Sequence, residues 1–356
     1  MRHRREAGRE IQVVYRNITS KGMNINMQQW KEEVMKSPAR KAIPILTHPG
    51  IQLIGRKVSD AVTNGYVHYC AIKRLQEEFP SAAATTIMDL TVEAEAFGCR
   101  IRLEENEIPS VALPLLNKID DIRALKIPSL LTGRIPEYLK AMQLSAENIT
   151  EKPVFGGCIG PFSLAGRLTG MTEIMTEMFL NPDAIFLLLE KCTLFLLGYA
   201  RAIKETGVQG MIMAEPAAGL LASDQCDAFS SSFIRRIIES VQDANFLFIL
   251  HNCGNSGQCT ASMVETGAGA LHFGNTIDLQ KAIREVPEHI LVMGNLDPVA
   301  DFCMATPEEM LEKAINLLEK VGKNRNFILS SGCDVPPQAP MANIRAFYRA
   351  LEQVPS

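Results

Sequence analysis

Short β-type runs alternate with longer helical patterns along almost the whole chain, and that alternation is the strongest constraint on its fold. Eight runs stand out, at 43–46, 84–90, 154–159, 210–214, 245–250, 270–273, 289–293 and 327–329. Most connections between them are long enough to hold a crossover helix, which parallel strands require. Eight such units predict an α/β protein with a single (β/α)8 TIM barrel, although an open doubly wound sheet would also account for alternating units. No Pro/Gly-rich linker, low-complexity block or repeat divides the 356 residues, so one domain is expected. The barrel is expected over 27–356, behind a flexible or helical N-terminal extension at 1–26, and Met1, Met23 and Met27 are alternative natural starts.

Composition narrows function mainly by exclusion. The 47% hydrophobic and 21% charged residues are those of an ordinary globular chain. A formal net charge of -4 leaves no basic surplus for nucleic-acid phosphates. The most apolar stretch, 184–200, is interrupted by Glu190 and Lys191 and falls short of the roughly 20 residues that cross a bilayer, so it reads as a core helix and no membrane association is expected. The opening MRHRREAGRE has no apolar run behind it and matches no export signal. The nine cysteines, odd in number and set in apolar surroundings, point to a reducing cytoplasm in which thiols are free for metal binding or catalysis.

The ends of the β-type runs are rich in chemically capable residues: Thr47 and His48, Asp89, Cys158 and Gly160, Glu215, His251 and Cys253, His272, Asn295 and Asp297, and Cys333. In a (β/α)8 barrel the strand C-termini converge on one face, where active sites are built. The sharpest feature is LHNCGN at 250–255, whose Leu250 ends the apolar FLFIL. On extended backbone, residues two apart point to the same side, so His251 and Cys253 can offer an imidazole and a thiolate to one ion. Taken alone, the pair is more often a packed cysteine beside a hydrogen-bonded histidine. Cys333, in SSGCDVP at 330–336, ends the last run in the same way. In a barrel it would stand on the same rim, and one His with two Cys is a catalytic zinc set with an open fourth position.

Other candidates are weaker. Glu215 could be an added ligand, a base for an incoming thiol, an orienter of His251, or a rim carboxylate paired with an Arg or a backbone amide. His272 is a catalytic candidate but reads more readily as a satisfied structural histidine, as does His48. Asp89, Gly160, Asn295 and Asp297 are candidate cofactor contacts, with loop anchoring the more ordinary role for the two aspartates. The small-residue segment 156–160 around Cys158 suits close strand–helix packing. Cys259 could compete as a ligand, while Cys70, Cys99, Cys192, Cys226 and Cys303 read as core or helix residues. The sixteen methionines are spread along the chain and mark no docking stripe.

The stretches MDLTVEAEAFG (88–98), GGCIGPFSLAGRLTG (156–170), AEPAAGLL (214–221), HNCGN (251–255), MGNLDP (293–298) and SSGCDVPPQAPMANI (330–344) resemble, in order, the blocks of the uroporphyrinogen decarboxylase superfamily. Within it, His-x-Cys followed by a distant Cys resembles the methylcobamide:coenzyme M methyltransferases and related corrinoid demethylation enzymes. True decarboxylases instead carry an Arg-Gln-Ala-Gly-Arg motif whose arginines hold tetrapyrrole carboxylates, and the corresponding place here reads Thr47-His48-Pro49-Gly50-Ile51. The resemblance implies Zn2+ on His251, Cys253 and Cys333, a methylcorrinoid donor on a partner corrinoid protein, and a small-molecule thiol as methyl acceptor. Relatives often have an acidic residue near LHFGNTIDL, where this chain has Gly274 and Asn275 with His272 beside them. Two other readings are a cofactor-independent porphyrinogen decarboxylase, and a non-catalytic barrel that binds corrinoid or tetrapyrrole.

Overall fold

The computed structural model describes residues 25–354, so the extension expected at 1–26 falls, but for Ile25 and Asn26, outside the described residues. Seven strands form one parallel sheet: β1 (Ala84–Thr85), β4 (Val154–Ile159), β5 (Gly210–Ala214), β6 (Leu247–Asn252), β7 (Ala270–Phe273), β8 (Leu291–Leu296) and β9 (Phe327–Ser331). Their spatial order follows the chain, as right-handed βα crossovers require. β2 (Ile101–Arg102) and β3 (Ser110–Val111) make a separate antiparallel hairpin that the sequence pattern did not announce. The run expected at 43–46 forms only an isolated parallel bridge, Ala42 to Leu329. It nonetheless joins the two edges of the sheet. Ile43 donates its amide to Leu329, Leu329 to Lys41, and Ala82 to Ala42, each at 3.0 Å, so the extended segment takes the eighth place in the barrel.

Side-chain direction alternates along each strand and divides the core in two. Ile43, Ile45, Phe155, Ile212, Ala214, Ile249, Met293 and Ile328 fill the barrel, while Met213, Leu250, Leu271 and Val292 pack outward against the helices. Helix α1 (Met27–Lys36) plugs the end opposite the strand C-termini: the Met27 amide donates to Ala244 at 2.7 Å, and Trp30 meets Phe155 edge-on at 6.0 Å. The stretch at 184–200 lies within the helix Pro182–Glu205, a core helix as expected, and no helix among the described residues is long and apolar enough to cross a membrane. Helix ends follow local chemistry. The helix Pro307–Val321 opens with Thr306 accepting from the Glu309 amide while Glu309 accepts from the Thr306 amide, and Gly322 ends it at φ +57°.

β1 is much shorter than the run 84–90. After Thr86 the backbone leaves the ladder, the Ile87 amide donating to His68 Nε2 at 2.8 Å, and Asp89 enters a buried ion network. There Arg134 pairs with Asp89, and its other nitrogens reach Glu95 at 2.7 Å and Thr91 at 2.8 Å. Asp89 also takes the Thr91 amide and hydroxyl, which pins the loop after β1 to the helix that Arg134 precedes. Loss of the guanidinium leaves a buried carboxylate uncompensated. Arg134→Leu should therefore lower unfolding stability by about 3–5 kcal/mol in denaturant titrations, with partial recovery in the Asp89→Asn/Arg134→Leu double variant. A single variant as stable as wild type would show that the network does not hold the loop.

Candidate metal centre

The register of the sheet carries one row of residues round the barrel: Ala214 beside His251, His251 beside His272, His272 beside Met293, and Met293 beside Ile328. Three of these belong to the inner core, so His251 and His272 also face inward, at the C-terminal mouth. Cys253, two residues on, keeps the same side as His251. Cys333 arrives from the far edge, two residues beyond β9, across β7 and β8. The candidate ligand atoms of His251, Cys253 and Cys333 all lie within 4.8 Å of one another. His251 is buried, and the two thiols are half-buried.

The donor set fits a zinc ion on two observations. His251 Nδ1 sits 2.8 Å from His272 Nδ1, while Nε2 is buried and has no hydrogen-bond partner. An orphaned buried ring nitrogen on a histidine clustered with two thiols is what a soft divalent ion would satisfy. The thiols also act on each other: the neighbouring Cys333 holds the Cys253 thiol below its ordinary range, while Cys253 and burial push the Cys333 thiol up.

Backbone packing fixes the Cys253 loop. A Cβ on Gly219 would collide with the Gly254 backbone, and one on Gly274 with the Cys253 backbone. A side chain of any kind, an acidic one included, has no room at position 274, because the ligand loop occupies that space. Gly332 is similarly crowded by the Asn275 amide, next to Cys333. On the other side of Cys333, Asp334 accepts from Thr47 Oγ1 at 2.8 Å and pairs with His48 Nδ1 at 2.6 Å. Burial alone would lower His48, but Asp334 outweighs it and raises the imidazole above its usual value. Thr47 and His48 thus anchor the Cys333 loop.

Several candidates prove to be elsewhere. Glu215 follows the inward Ala214 and turns outward. Its Oε1 accepts from the Ser163 amide at 2.8 Å at the start of the helix Pro161–Thr169, and its carboxylate packs against Gly160, where any Cβ would collide with it. It is a helix anchor, and Gly160 is small to admit it. Asp297 caps the Val299 and Ala300 amides at 2.8 Å and receives Asn275 Nδ2 at 2.6 Å, while Asn295 Nδ2 donates to the carbonyls of Gly274 and Ile277. These side chains, with Asp89, hold the loops at the strand ends. Cys259 donates to the carbonyls of Ala218 and Leu221, away from the cluster, and Cys158 packs outward in the core. Burial, with His251 adjacent, pushes His272 well below its ordinary value, so it is neutral.

Two features escaped the sequence reading. Glu93, fully buried on the helix Val92–Phe97, accepts from the Ile159 amide at 3.1 Å and is pushed by burial up to about 7. Its only signal was a place in the short run VEAEAF, which carries Glu95 as well. A cavity of about 490 Å³ also opens beside the mouth, with Ile159, Ser163, Arg167, Pro216, Ala217 and Leu220 in its walls. The 216–220 turn that forms one wall is the turn packed on Gly254.

Comparison with known proteins gives a consistent outcome. Residues 39–354 match the family described as Uroporphyrinogen decarboxylase (URO-D). The methylcobamide:CoM methyltransferase MtbA of Methanosarcina mazei is 32% identical over 262 residues, 72% of this chain and 75% of that protein. The uroporphyrinogen decarboxylase of Proteus mirabilis is 25% identical over 287 residues, 78% of this chain and 79% of that one. A solved methyltransferase structure from Methanosarcina mazei superposes with a TM-score of 0.82 at 23% identity, covering 93% of this chain and 99% of the other, which establishes the barrel fold.

Burial pushes Glu215 up to about 8 from an ordinary value of 4.5. The folded state therefore holds this proton where the unfolded chain has lost it, and the resulting stability declines as pH rises from about 4.5 to about 8. Glu215→Gln keeps the shape and removes the ionisation. Its stability, measured by denaturant titration at successive pH values, should fall less steeply than wild type over that window, by up to about 1.4 kcal/mol per pH unit. A slope equal to wild type would place the pH dependence on other groups.

Proposed function

The chain belongs to the uroporphyrinogen decarboxylase family, and we propose that it is a zinc-dependent methyltransferase. In this reading it moves a methyl group from a methylated corrinoid, carried by a corrinoid protein, to a small thiol. The observation that supports it most is the meeting of one imidazole and two thiols, drawn from β6 and from beyond β9, at the mouth of the barrel. The likeness to MtbA, whose name specifies a methylcobamide donor and a CoM acceptor, supports the donor class and the thiol acceptor.

Two thiolates and a neutral imidazole match the charge of one Zn2+ and leave a fourth position for substrate. Bound there, zinc supplies a Lewis acid that lowers the proton affinity of an incoming thiol and keeps its sulfur nucleophilic at neutral pH. The chain's own contribution is placement. The glycines around 253–254 and the Thr47–His48–Asp334 contacts hold the two cysteine loops at fixed separation, so the sulfur of the acceptor is presented in one direction. The half-buried thiols leave the acceptor's proton a route to water. Methyl transfer then forms the S–C bond as the Co–C bond breaks, with the electron pair remaining on cobalt. The cavity beside the ligand loop, apolar but for Arg167 and Ser163, supplies surface for the incoming donor.

Purified protein should contain about one zinc per chain by elemental mass spectrometry, lost in His251→Ala and Cys333→Ala and kept in Cys259→Ser. Methyl transfer from methylcobalamin to a panel of thiols should fall to background in the two zinc-free variants. Full activity after exhaustive chelation would sink the zinc reading. Conversion of uroporphyrinogen would return the chain to its decarboxylase relatives.

A further inference from the structure

We infer that Ser330 and His272 are positioning residues for this centre, holding His251 as the tautomer whose bare Nε2 faces the two thiols. The inference rests on the zinc reading above and extends it to two residues outside the ligand set. Ser330, fully buried in β9, places Oγ 2.7 Å from the carbonyl oxygen of Ile43 and 2.8 Å from His272 Nε2. A carbonyl oxygen has no proton to give, so the one hydroxyl proton lies toward Ile43. The hydroxyl lone pair must then accept from His272 Nε2, which carries that ring's single proton. His272 Nδ1 is left bare, 2.8 Å from His251 Nδ1. Two bare nitrogens at that distance would repel, so the proton between them belongs to His251 Nδ1. His251 Nε2 is therefore a lone pair only, and it is buried with no protein partner.

The direction of the whole chain is set by its terminus. Ile43 lies on the segment that closes the barrel, and its carbonyl can only accept. Reversing the relay would put a proton on His251 Nε2, a donor where the cluster needs an acceptor. The two rings meet nearly perpendicular, at 80° with centroids 4.6 Å apart, so the contact between them is an edge-on hydrogen bond and not a stack. A chain of this kind fixes both tautomer and ring orientation, as outer partners do at histidine-ligated metals.

The test is Zn2+ affinity, by competition with a chromogenic chelator, together with the absorption spectrum of the Co2+-substituted protein. Ser330→Ala and His272→Phe should each weaken Zn2+ binding by about ten- to a hundred-fold and shift the Co2+ ligand-field bands. Ser330→Thr, which keeps the hydroxyl, should bind and absorb as wild type. Ser330→Ala with wild-type affinity and an unchanged Co2+ spectrum would overturn the inference even where His272→Phe misfolds. Wild-type protein that takes up neither ion would overturn the zinc reading itself.

Discussion

The parallel register across β5 to β9 is the constraint on which the candidate centre depends. It lines up Ala214, His251, His272, Met293 and Ile328 as one inward row, so two histidines from adjacent strands meet at the mouth. A slip of one residue would turn both imidazoles outward into the helical layer and bring Leu250 and Leu271 into the barrel. Burial opposes that slip strongly, because the outward neighbours Met213, Leu250, Leu271 and Val292 are themselves core residues. The site is therefore specified by the same hydrophobic alternation that specifies the fold. Closure through the 41–46 segment then matters twice, since it completes the barrel and supplies the Ile43 carbonyl that the Ser330 hydroxyl needs.

Precision at the mouth comes from backbone rather than from charge. Gly219 on Gly254 and Gly274 on Cys253 are approaches that any side chain would prevent, and they bring three loops into direct main-chain contact. Ligand loops built on such contacts have little freedom to separate. Side-chain anchors complete the frame: Asn295 holds the carbonyls of Gly274 and Ile277, and Asp297 holds Asn275 and the amides of the following turn.

The order of the chain's elements was legible because helical and extended periodicities differ, and seven of the eight β-type runs enter the sheet. Boundaries were less legible at the functional end. The runs expected at 245–250 and 289–293 are strands at 247–252 and 291–296, because the ladder is made by backbone and continues through His251, Asn252 and Asn295 after the apolar signal stops. Hydropathy cannot see polar residues that belong to a strand because they face a mouth. The His-x-Cys spacing was readable, and so was a third cysteine at a strand end. The outward turn of Glu215 was not, since whether a residue at the end of a strand faces the barrel or the helices depends on register with neighbours far away in sequence. Ser330 carried no signal at all, being one serine among several until the Ile43 carbonyl and His272 are placed against it.

The fixed charges near the mouth bear on which substrate class fits. A porphyrinogen carries many carboxylates and needs unengaged cations to receive them. Here the buried guanidinium of Arg134 already serves Asp89 and Glu95, and the imidazole of His48 already serves Asp334. Each of these two groups thus has its own carboxylate. What remains directed at the centre is one imidazole lone pair and two thiols, a set of soft donors with no surplus of positive charge. That balance suits a dication whose charge two thiolates neutralise, and a small acceptor delivered to it, better than a large polyanion. Thr47 and His48 contribute to that balance by contacting Asp334 and so steadying the Cys333 loop, which places the support for the soft-donor cluster in the segment that closes the barrel.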